Sequence, residues 1–291
     1  MMDDQIKAGV IGLGAMGAPM ARHLANAGLL VMVWNRTSSK AEALAQETDT
    51  VAADTPAQLA SACNVILICV SADQDLLDVI GQLLPGIKSG SVVVDTSTVS
   101  PATARQVSAS LHEAGASLVD APVSGGVEGA QKGTLSVMAG GNSATISRIM
   151  PVLEAISASI THMGPVGSGQ ATKAVNQVMI AGIAEAVCEA LALSEKLNLP
   201  SERLLSVVGA GAAGSWFLGH RGQTMLEDRF DVGFKLSLLL KDLLICHTLA
   251  QELDISLPTV EAAINDYRKL VELGDGDHDI SGLIRLKRGQ D

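Results

Sequence analysis

The segment Val10-Ile11-Gly12-Leu13-Gly14-Ala15-Met16-Gly17 decides the fold. Its glycines have the spacing G-x-G-x-x-G, after the apolar run 8–11 and before a segment of helical character, 18–27. Such glycines let the chain turn tightly off a strand, let its backbone approach a pyrophosphate, and let the following helix pack closely. The free N–H groups at the helix start attract phosphate. We therefore predict a dinucleotide-binding turn whose cofactor contacts come from Gly12, Leu13, Gly14, Ala15, Met16 and Gly17.

Length and charge limit the class of protein. A chain of 291 residues suggests about two domains. The formal net charge of −11 disfavours nucleic acid and anionic membrane surfaces as partners, because both need a basic face. The acidic start of the chain lacks a signal-peptide pattern, and the apolar segment Val178–Leu193 contains two glutamates. We expect a soluble, cytoplasmic protein with neither nucleic acid nor a membrane as partner.

The four cysteines form no C-x-x-C pair and have no histidines at zinc-ligand spacing. Reduced, buried thiols are therefore expected, and no metal site is predicted.

The first half of the chain alternates short apolar runs with helical segments. The predicted strands are Lys7–Ile11, Leu30–Trp34, Val65–Val70, Val92–Asp95, Ser117–Ala121, Leu135–Ala139 and Ser159–Met163. The predicted helices between them are Gly14–Asn26, Ser38–Glu47, Pro56–Ala62, Asp73–Leu84, Pro101–Ala114 and Ser143–Leu153. This alternation indicates an α/β fold with a Rossmann-type, doubly wound, mostly parallel sheet.

After about residue 164 the pattern becomes helical throughout. Helices are predicted at Gln170–Leu197, Ser201–Ala210, Lys235–Leu253 and Pro258–Leu273. We predict an N-terminal NAD(P)-binding Rossmann domain at 1–163 and a C-terminal all-α substrate and dimerisation domain at 164–291.

The end of the second strand bears on the choice of cofactor. In a doubly wound sheet the ligand lies outside the carboxyl ends of the strands, so loops 12–17, 35–37, 70–75 and 96–98 should face one crevice. NAD-preferring sites usually carry an acidic residue at this strand end, whereas this chain has Asn35, Arg36 and Thr37. A guanidinium pairs with the extra phosphate of NADP, so NADP is favoured. The alternative is that Arg36 only stacks on adenine, which serves NAD equally well.

Two further stretches carry polar groups. Ser124, Gly125 and Gly126 follow a strand and offer a hydroxyl and successive backbone N–H groups, which suits a carboxylate or is only a tight turn. Lys173, Asn176 and Gln177 are spaced to share one helix face. A lysine desolvated in a cleft exchanges protons near neutral pH, although a lone lysine near a helix start is usually a solvated charge.

Four motifs in order resemble the β-hydroxyacid dehydrogenases over nearly the whole chain: Gly12–Gly17, Asp120–Gly126, Gly169–Gln177 and Lys241–Leu243. This family includes 3-hydroxyisobutyrate dehydrogenase, tartronate semialdehyde reductase and the glyoxylate/succinic semialdehyde reductases. The resemblance implies that Lys173 is the catalytic lysine, which protonates the alkoxide during reduction. It implies substrate binding by Ser124, Gly125, Gly126, Asn176 and Gln177, and cofactor contacts from Val70, Ser71, Thr98 and Lys241. Many members have Leu-Pro where this chain has Val70-Ser71.

The predicted activity is reversible hydride transfer between NADP(H), or NAD(H), and a small carboxylate-bearing aldehyde or 3-hydroxy acid. Tartronate semialdehyde, glyoxylate, succinic semialdehyde and 3-hydroxyisobutyrate represent that substrate class. The alternatives are an imine reductase of the same fold, a non-catalytic NAD(P)-binding protein, and a 6-phosphogluconate dehydrogenase-like enzyme. The long apolar helix with small residues predicts a homodimer or homotetramer.

Overall fold

A computed structural model of the chain describes residues 5–231 and 233–289. The chain divides into two compact units, the first ending at Lys173 and the second beginning at Ala174. The predicted domain limits, 1–163 and 164–291, stay predictions.

The first unit contains one large β-sheet. Its strands are β1 (Ala8–Ile11), β2 (Leu30–Trp34), β3 (Val51–Ala52), β4 (Val65–Ile68), β5 (Val92–Asp95), β6 (Ser117–Asp120), β7 (Val123–Ser124), β8 (Leu135–Gly140) and β9 (Ser157–Gly164). The spatial order is β3-β2-β1-β4-β5-β6-β8-β7, and β9 pairs with β8. Strands β1 to β6 are parallel, whereas β8 runs antiparallel to β6 and β7.

The chain leaves β1 toward β2 on one side and later returns to β4 on the other. This reversal opens a crevice at the carboxyl ends of β1 and β4. The α/β, doubly wound fold predicted from sequence is therefore confirmed. Strands β1, β4 and β5 are buried along their whole lengths, because both sheet faces are covered by helices, and this explains their continuous apolar runs.

The helices of the first unit are α1 (Gly17–Asn26), α2 (Ser38–Thr48), α3 (Pro56–Ala62), α4 (Asp73–Leu83), α5 (Pro101–Glu113), α6 (Gly126–Lys132), α7 (Ser143–Arg148) and α8 (Met150–Ile156). Prolines open α3 and α5, where Thr55 and Ser100 cap the first turn as their side chains accept backbone N–H bonds.

The structure differs from the sequence-based helices in several places, among them α6 (Gly126–Lys132), which the sequence pattern did not predict. Helix α1 begins at Gly17 rather than Gly14, so the turn is longer than predicted. The helix predicted at Ser143–Leu153 is two helices, with Pro151 in the first turn of the second. Proline has no N–H to donate to the preceding turn, which ends the first helix there.

The second unit is helical, which confirms the predicted class of the C-terminal region. Helix α9 (Ser168–Lys196) begins in the first unit and continues into the second, followed by α10 (Ser201–Gly209), α11 (Trp216–Leu226), α12 (Leu236–Glu252), α13 (Pro258–Glu272) and α14 (Ile284–Lys287). Its core includes Tyr267, Leu239 and Phe217. By length and composition α9 is apolar enough to cross a membrane, but half of its most apolar window is buried inside the structure, as in the core helix of a soluble protein.

Candidate active site

Backbone segments pass very close to one another in the glycine turn, at Gly12 and at Gly17. Gly12 has φ +91°, and a Cβ there would lie 2.1 Å from the carbonyl oxygen of Cys69. A Cβ at Gly17 would lie 1.8 Å from the carbonyl oxygen of Gly12. At Gly14, by contrast, no atom of the described residues beyond its chain neighbours comes within 4 Å of that position. The turn therefore holds its shape through Gly12 and Gly17 and leaves open space at Gly14, as a bound pyrophosphate requires.

The end of β2 is tied to this turn by Asn35. Its side-chain oxygen accepts a hydrogen bond from the backbone N–H of Leu13 at 2.9 Å, and its amide donates to the carbonyl oxygen of Thr37 at 3.1 Å. The Arg36 side chain is 87% exposed, with a guanidinium nitrogen 3.3 Å from a carboxylate oxygen of Asp75. Thr37 precedes α2, and its hydroxyl makes no capping bond to that helix, which the structure describes completely.

The predicted crevice loops contact one another. Loop 35–37 meets loop 12–17 through Asn35 and Leu13, and it meets loop 70–75 through Arg36 and Asp75. Loop 70–75 meets loop 96–98 because the N–H of Val70 donates to the Ser97 hydroxyl at 2.9 Å. Thr98 lies partly buried in that last loop, and Ser71 is exposed. The first unit thus gathers the predicted cofactor-binding loops at one edge of the sheet.

The serine–glycine turn follows the short strand β7. Gly125 and Gly126 have φ values of +129° and +63°, a backbone shape that side chains other than glycine rarely adopt. Gly125 is exposed, and Ser124 is half-buried. Successive glycines with positive φ turn backbone N–H groups in one direction, so this turn can accept an anionic group.

Lys173 lies beside that turn. Its side chain is buried, with 7% of the residue exposed, and its ammonium nitrogen donates to the carbonyl oxygen of Val123 at 2.9 Å. Val123 immediately precedes Ser124 in the chain. The first unit therefore brings the predicted catalytic lysine next to the predicted carboxylate-binding turn.

Asp120 and Gln170 hold the start of α9, and sequence reasoning assigned no role to either side chain. Asp120 is buried at the end of β6, where its two carboxylate oxygens accept backbone N–H bonds from Gly167 (2.8 Å) and Gln170 (2.9 Å). Burial raises the pKa of the Asp120 carboxyl, and these backbone donors oppose that rise. The Gln170 amide accepts from the N–H of Val99 (3.2 Å) and donates to the carbonyl oxygen of Ser97 (2.8 Å).

The sequence does contain a signal that could have pointed to Asp120. Asp95 and Asp120 end neighbouring parallel strands and are paired in register. Buried carboxylates at the carboxyl ends of strands usually bind a helix start or a ligand, so their positions mark this edge of the sheet.

The second unit gathers the remaining predicted residues around Asp242. The Asn176 amide donates to the Gln177 side-chain oxygen at 2.8 Å, and the Gln177 amide donates to an Asp242 oxygen at 2.6 Å. The ammonium of Lys241 lies 2.8 Å from the other oxygen of Asp242. Gln177 and Asp242 are buried, so a polar network is fixed inside this unit.

Two aromatic residues and two histidines outside the predicted site have local structural contacts. Trp216 stacks on His220 with ring centroids 4.1 Å apart, and Phe217 is part of the helical core. His162 contacts the carbonyl oxygens of Gly141 and Gly164. Among residues 5–231 and 233–289, no group of three or more His, Cys, Asp or Glu converges as a metal ion would require.

The sequence is similar to known proteins over nearly its whole length. Residues 7–164 match the model of the NAD-binding domain of 6-phosphogluconate dehydrogenase, and residues 167–287 match the NAD-binding model of NADP-dependent 3-hydroxyisobutyrate dehydrogenase. The chain is 34% identical over 284 residues to 2-hydroxy-3-oxopropionate reductase of Escherichia coli, covering 96% of each chain. Together with the glycine turn and the buried lysine, these matches decide the family.

The chain belongs to the β-hydroxyacid dehydrogenase family. It is an NAD(P)-dependent hydroxyacid dehydrogenase.

Solved structures agree with this assignment. The dehydrogenase superposes on Mycobacterium tuberculosis 3-hydroxyisobutyrate dehydrogenase with L-serine at a TM-score of 0.88 and 29% identity, covering 98% of this chain and 99% of that one. It superposes on Psf3 in complex with NADP+ and 2-OPP at a TM-score of 0.89 and 26% identity, covering 96% of this chain and 99% of that one. Imine reductases superpose at about 21% identity, which shows a shared fold alone.

Proposed function

We propose that the dehydrogenase transfers hydride reversibly between NADP(H) and a small carboxylate-bearing aldehyde or 3-hydroxy acid, with Lys173 as its acid–base residue. The observation that carries this proposal is the 2.9 Å bond that holds the buried Lys173 ammonium on Val123, next to Ser124. A cation beside an anion-binding turn suits a substrate that has a carbonyl oxygen near a carboxylate.

Each group has a defined task in the reaction. The nicotinamide cofactor supplies the hydride in reduction and accepts it in oxidation. Ser124, Gly125 and Gly126 hold the substrate carboxylate, and Lys173 gives its proton to the carbonyl oxygen as that oxygen becomes a hydroxyl. In oxidation Lys173 takes the proton back. The substrate-binding roles of Asn176 and Gln177 and the cofactor contact of Lys241 stay predictions.

The preference for NADP is supported by charge at the end of β2. Arg36 supplies a positive charge in loop 35–37. The Thr37 hydroxyl makes no capping hydrogen bond to α2, which the structure describes completely. A guanidinium, a hydroxyl and a helix start together suit a 2′-phosphate. The open space at Gly14 suits the pyrophosphate common to both cofactors. The residues present therefore fit the cofactor.

A substrate panel tests the proposal. NADPH and NADH are each supplied with glyoxylate, succinic semialdehyde, tartronate semialdehyde and methylmalonate semialdehyde, and cofactor oxidation is recorded. We expect turnover with NADPH. Lys173→Ala should lower kcat by about 10² to 10⁴-fold, as loss of a general acid does, and should leave binding of 2′,5′-ADP unchanged.

Lys88→Ala, at an exposed lysine of the same unit, is the matched control and should keep full turnover. A Lys173→Ala variant that reduces any of these aldehydes at the wild-type rate contradicts the proposal. Reduction of a cyclic imine in preference to every aldehyde would assign the chain to imine reduction instead.

A homodimer or homotetramer is also proposed. Val175, Met179, Leu193 and Leu197 expose large apolar side chains along α9, and such surface is typical of contacts between subunits. Sedimentation equilibrium that gives a stable monomer would contradict this.

A further inference from the structure

Two buried residues fasten the start of α9 to the sheet at two different strands. Asp120, at the end of β6, accepts the backbone N–H groups of Gly167 and Gln170. Gln170 in turn bonds the loop that follows β5, through the N–H of Val99 and the carbonyl oxygen of Ser97. We propose that Asp120 and Gln170 are positioning residues that hold Lys173 in register with the Ser124 turn. This inference rests on the proposed function of Lys173.

The backbone around Asp120 is shaped for its carboxylate. A Cβ at Gly140 would lie 2.5 Å from one Asp120 oxygen, and a Cβ at Gly169 would lie 2.9 Å from the other. At Gly169 the same Cβ would also lie 2.3 Å from the carbonyl oxygen of Met138. Both glycines therefore allow strand and helix backbone to close around the carboxylate. An anionic side chain at a helix N-terminus is favourable, which offsets part of the cost of burying it.

Gln170 and Lys173 are three residues apart in α9 and lie on the same face of the helix. Gln170 is 1% exposed, and both ends of its amide are bonded to loop backbone. An amide held at both ends fixes the rotation of the helix about its axis. Since rotation carries Lys173 with it, the Gln170 bonds restrain the direction of the lysine side chain.

The short segment from Asp120 to Val123 contacts α9 at both of its ends. Asp120 binds the first turn of the helix, and the carbonyl oxygen of Val123 accepts from Lys173 one turn later. A slip of α9 by one residue would move Lys173 by about 1.5 Å along the axis. A misplacement of about 1 Å at a reacting group costs about 100-fold in rate. The hydrogen bonds from α9 to Asp120 therefore matter for proton transfer by Lys173 as well as for the fold.

The test uses Asp120→Asn, which keeps one acceptor oxygen, and Gln170→Met, which keeps the side-chain length without its hydrogen bonds. The matched control is Asn142→Ala, because Asn142 accepts two backbone N–H bonds at the start of α7 in the same unit. Steady-state kinetics use NADPH and the aldehyde of the panel that the wild-type chain reduces best. The solvent deuterium isotope effect on kcat and the melting temperature are measured for each variant.

We expect Asp120→Asn and Gln170→Met to lower kcat by about 10- to 100-fold. In Asp120→Asn, whose bonds do not reach loop 96–98, the KM for NADPH should stay near that of the wild type. The solvent isotope effects of both variants should rise, because a misplaced lysine makes proton transfer slower. Asn142→Ala should lower the melting temperature and leave both kcat and the isotope effect unchanged.

A variant that melts earlier but keeps the wild-type kcat and isotope effect overturns the positioning role. Failure of both variants to fold also overturns it, because the bonds of Asp120 and Gln170 would then serve folding alone. If Lys173→Ala keeps turnover, the proposed function itself fails. If Lys173→Ala loses turnover while Asp120→Asn keeps it, only the positioning role fails.

Discussion

The ammonium nitrogen of Lys173 lies 2.9 Å from the carbonyl oxygen of Val123, the residue that precedes Ser124. A buried cation is thereby fixed one residue away from a turn whose two glycines have positive φ. Because Val123 and Ser124 are adjacent in the chain, the carboxylate-binding role is tested by a substitution within the turn and the proton-transfer role by a substitution at Lys173.

Ser124→Ala should affect substrate binding and spare the cofactor. Loss of one hydrogen bond to a carboxylate costs about 1.5–3 kcal/mol, which corresponds to about a 10- to 100-fold rise in KM for the aldehyde. Binding of 2′,5′-ADP, measured by calorimetry, should not change. Ser61→Ala is the control, since the Ser61 hydroxyl donates to the carbonyl oxygen of Gln58 within α3 of the same unit. An unchanged aldehyde KM in Ser124→Ala would contradict the role of the hydroxyl.

Alanine at the glycines of the turn should separate folding from cofactor binding. Gly14→Ala has room for its methyl group in the described structure and should melt like the wild type, yet it should weaken NADPH binding by about tenfold or more because the methyl fills the space of the pyrophosphate. Gly17→Ala should destabilise the fold, because its Cβ would lie 1.8 Å from a backbone oxygen.

The control for the glycine series is Gly81→Ala, within α4 and equally open among the described residues. It should raise stability by up to about 1 kcal/mol, as alanine favours a helix, without changing NADPH affinity. Equal NADPH affinity in Gly14→Ala and wild type would show that the pyrophosphate binds elsewhere.

Asp75 should weaken the proposed preference for NADP. Its carboxylate lies 3.3 Å from the Arg36 guanidinium and competes with a 2′-phosphate for it. Exposed ion pairs are worth up to about 1 kcal/mol, so Asp75→Asn should tighten 2′,5′-ADP binding by about two- to fivefold and leave 5′-AMP unchanged.

Asp78→Asn removes the same charge one turn away in α4 and is the control. Arg36→Ala should abolish the difference between the two nucleotides. If 2′,5′-ADP and 5′-AMP bind equally to the wild-type chain, Arg36 does not bind the 2′-phosphate.

The thiols should be nearly inert in the folded protein. Burial raises the pKa of Cys63 to about 12 and that of Cys69 to about 11, and it raises the pKa of Cys188 as well. At pH 8 a thiol of such pKa is about 0.1% thiolate or less, so labelling by a disulfide reagent should be slower by about two orders of magnitude than for an exposed thiol.

Raising the pH should speed labelling of the folded chain, and unfolding in guanidinium should release all four thiols at once. Rapid labelling of Cys69 at pH 7, with the other three thiols protected, would contradict the raised pKa of that thiol.

Much of the sheet could be predicted because its strands are short apolar runs between turns. Leu30–Trp34 and Val92–Asp95 were predicted with the bounds observed. The strands Val51–Ala52 and Val123–Ser124 were missed, since two residues carry no periodicity. The bounds of the helix Trp216–Leu226 were not predicted, because its glycines and polar residues interrupt the apolar pattern.

The candidate site was predictable where a motif carries its own chemistry, as at the glycine turn and Lys173. Asp120 and Gln170 were missed because their partners are remote in sequence. Asp120 binds N–H groups 47 and 50 residues away, and the Gln170 amide bonds residues 71 and 73 positions away. Such roles depend on which strand ends the topology brings together.

The two hydrogen bonds of Asn35 restrict how the coenzyme preference of this enzyme can be re-engineered. The usual exchange toward NAD places an aspartate at this strand end. An aspartate at position 35 would keep the bond from the N–H of Leu13. Its second carboxylate oxygen, however, would face the carbonyl oxygen of Thr37, which now accepts a hydrogen bond from the Asn35 amide. Because that carbonyl oxygen belongs to the backbone of Thr37, no side chain at position 37 removes it. An aspartate at position 35 therefore requires loop 35–37 to change its backbone path, and single-site libraries at position 35 will return weakened proteins rather than NAD-selective ones.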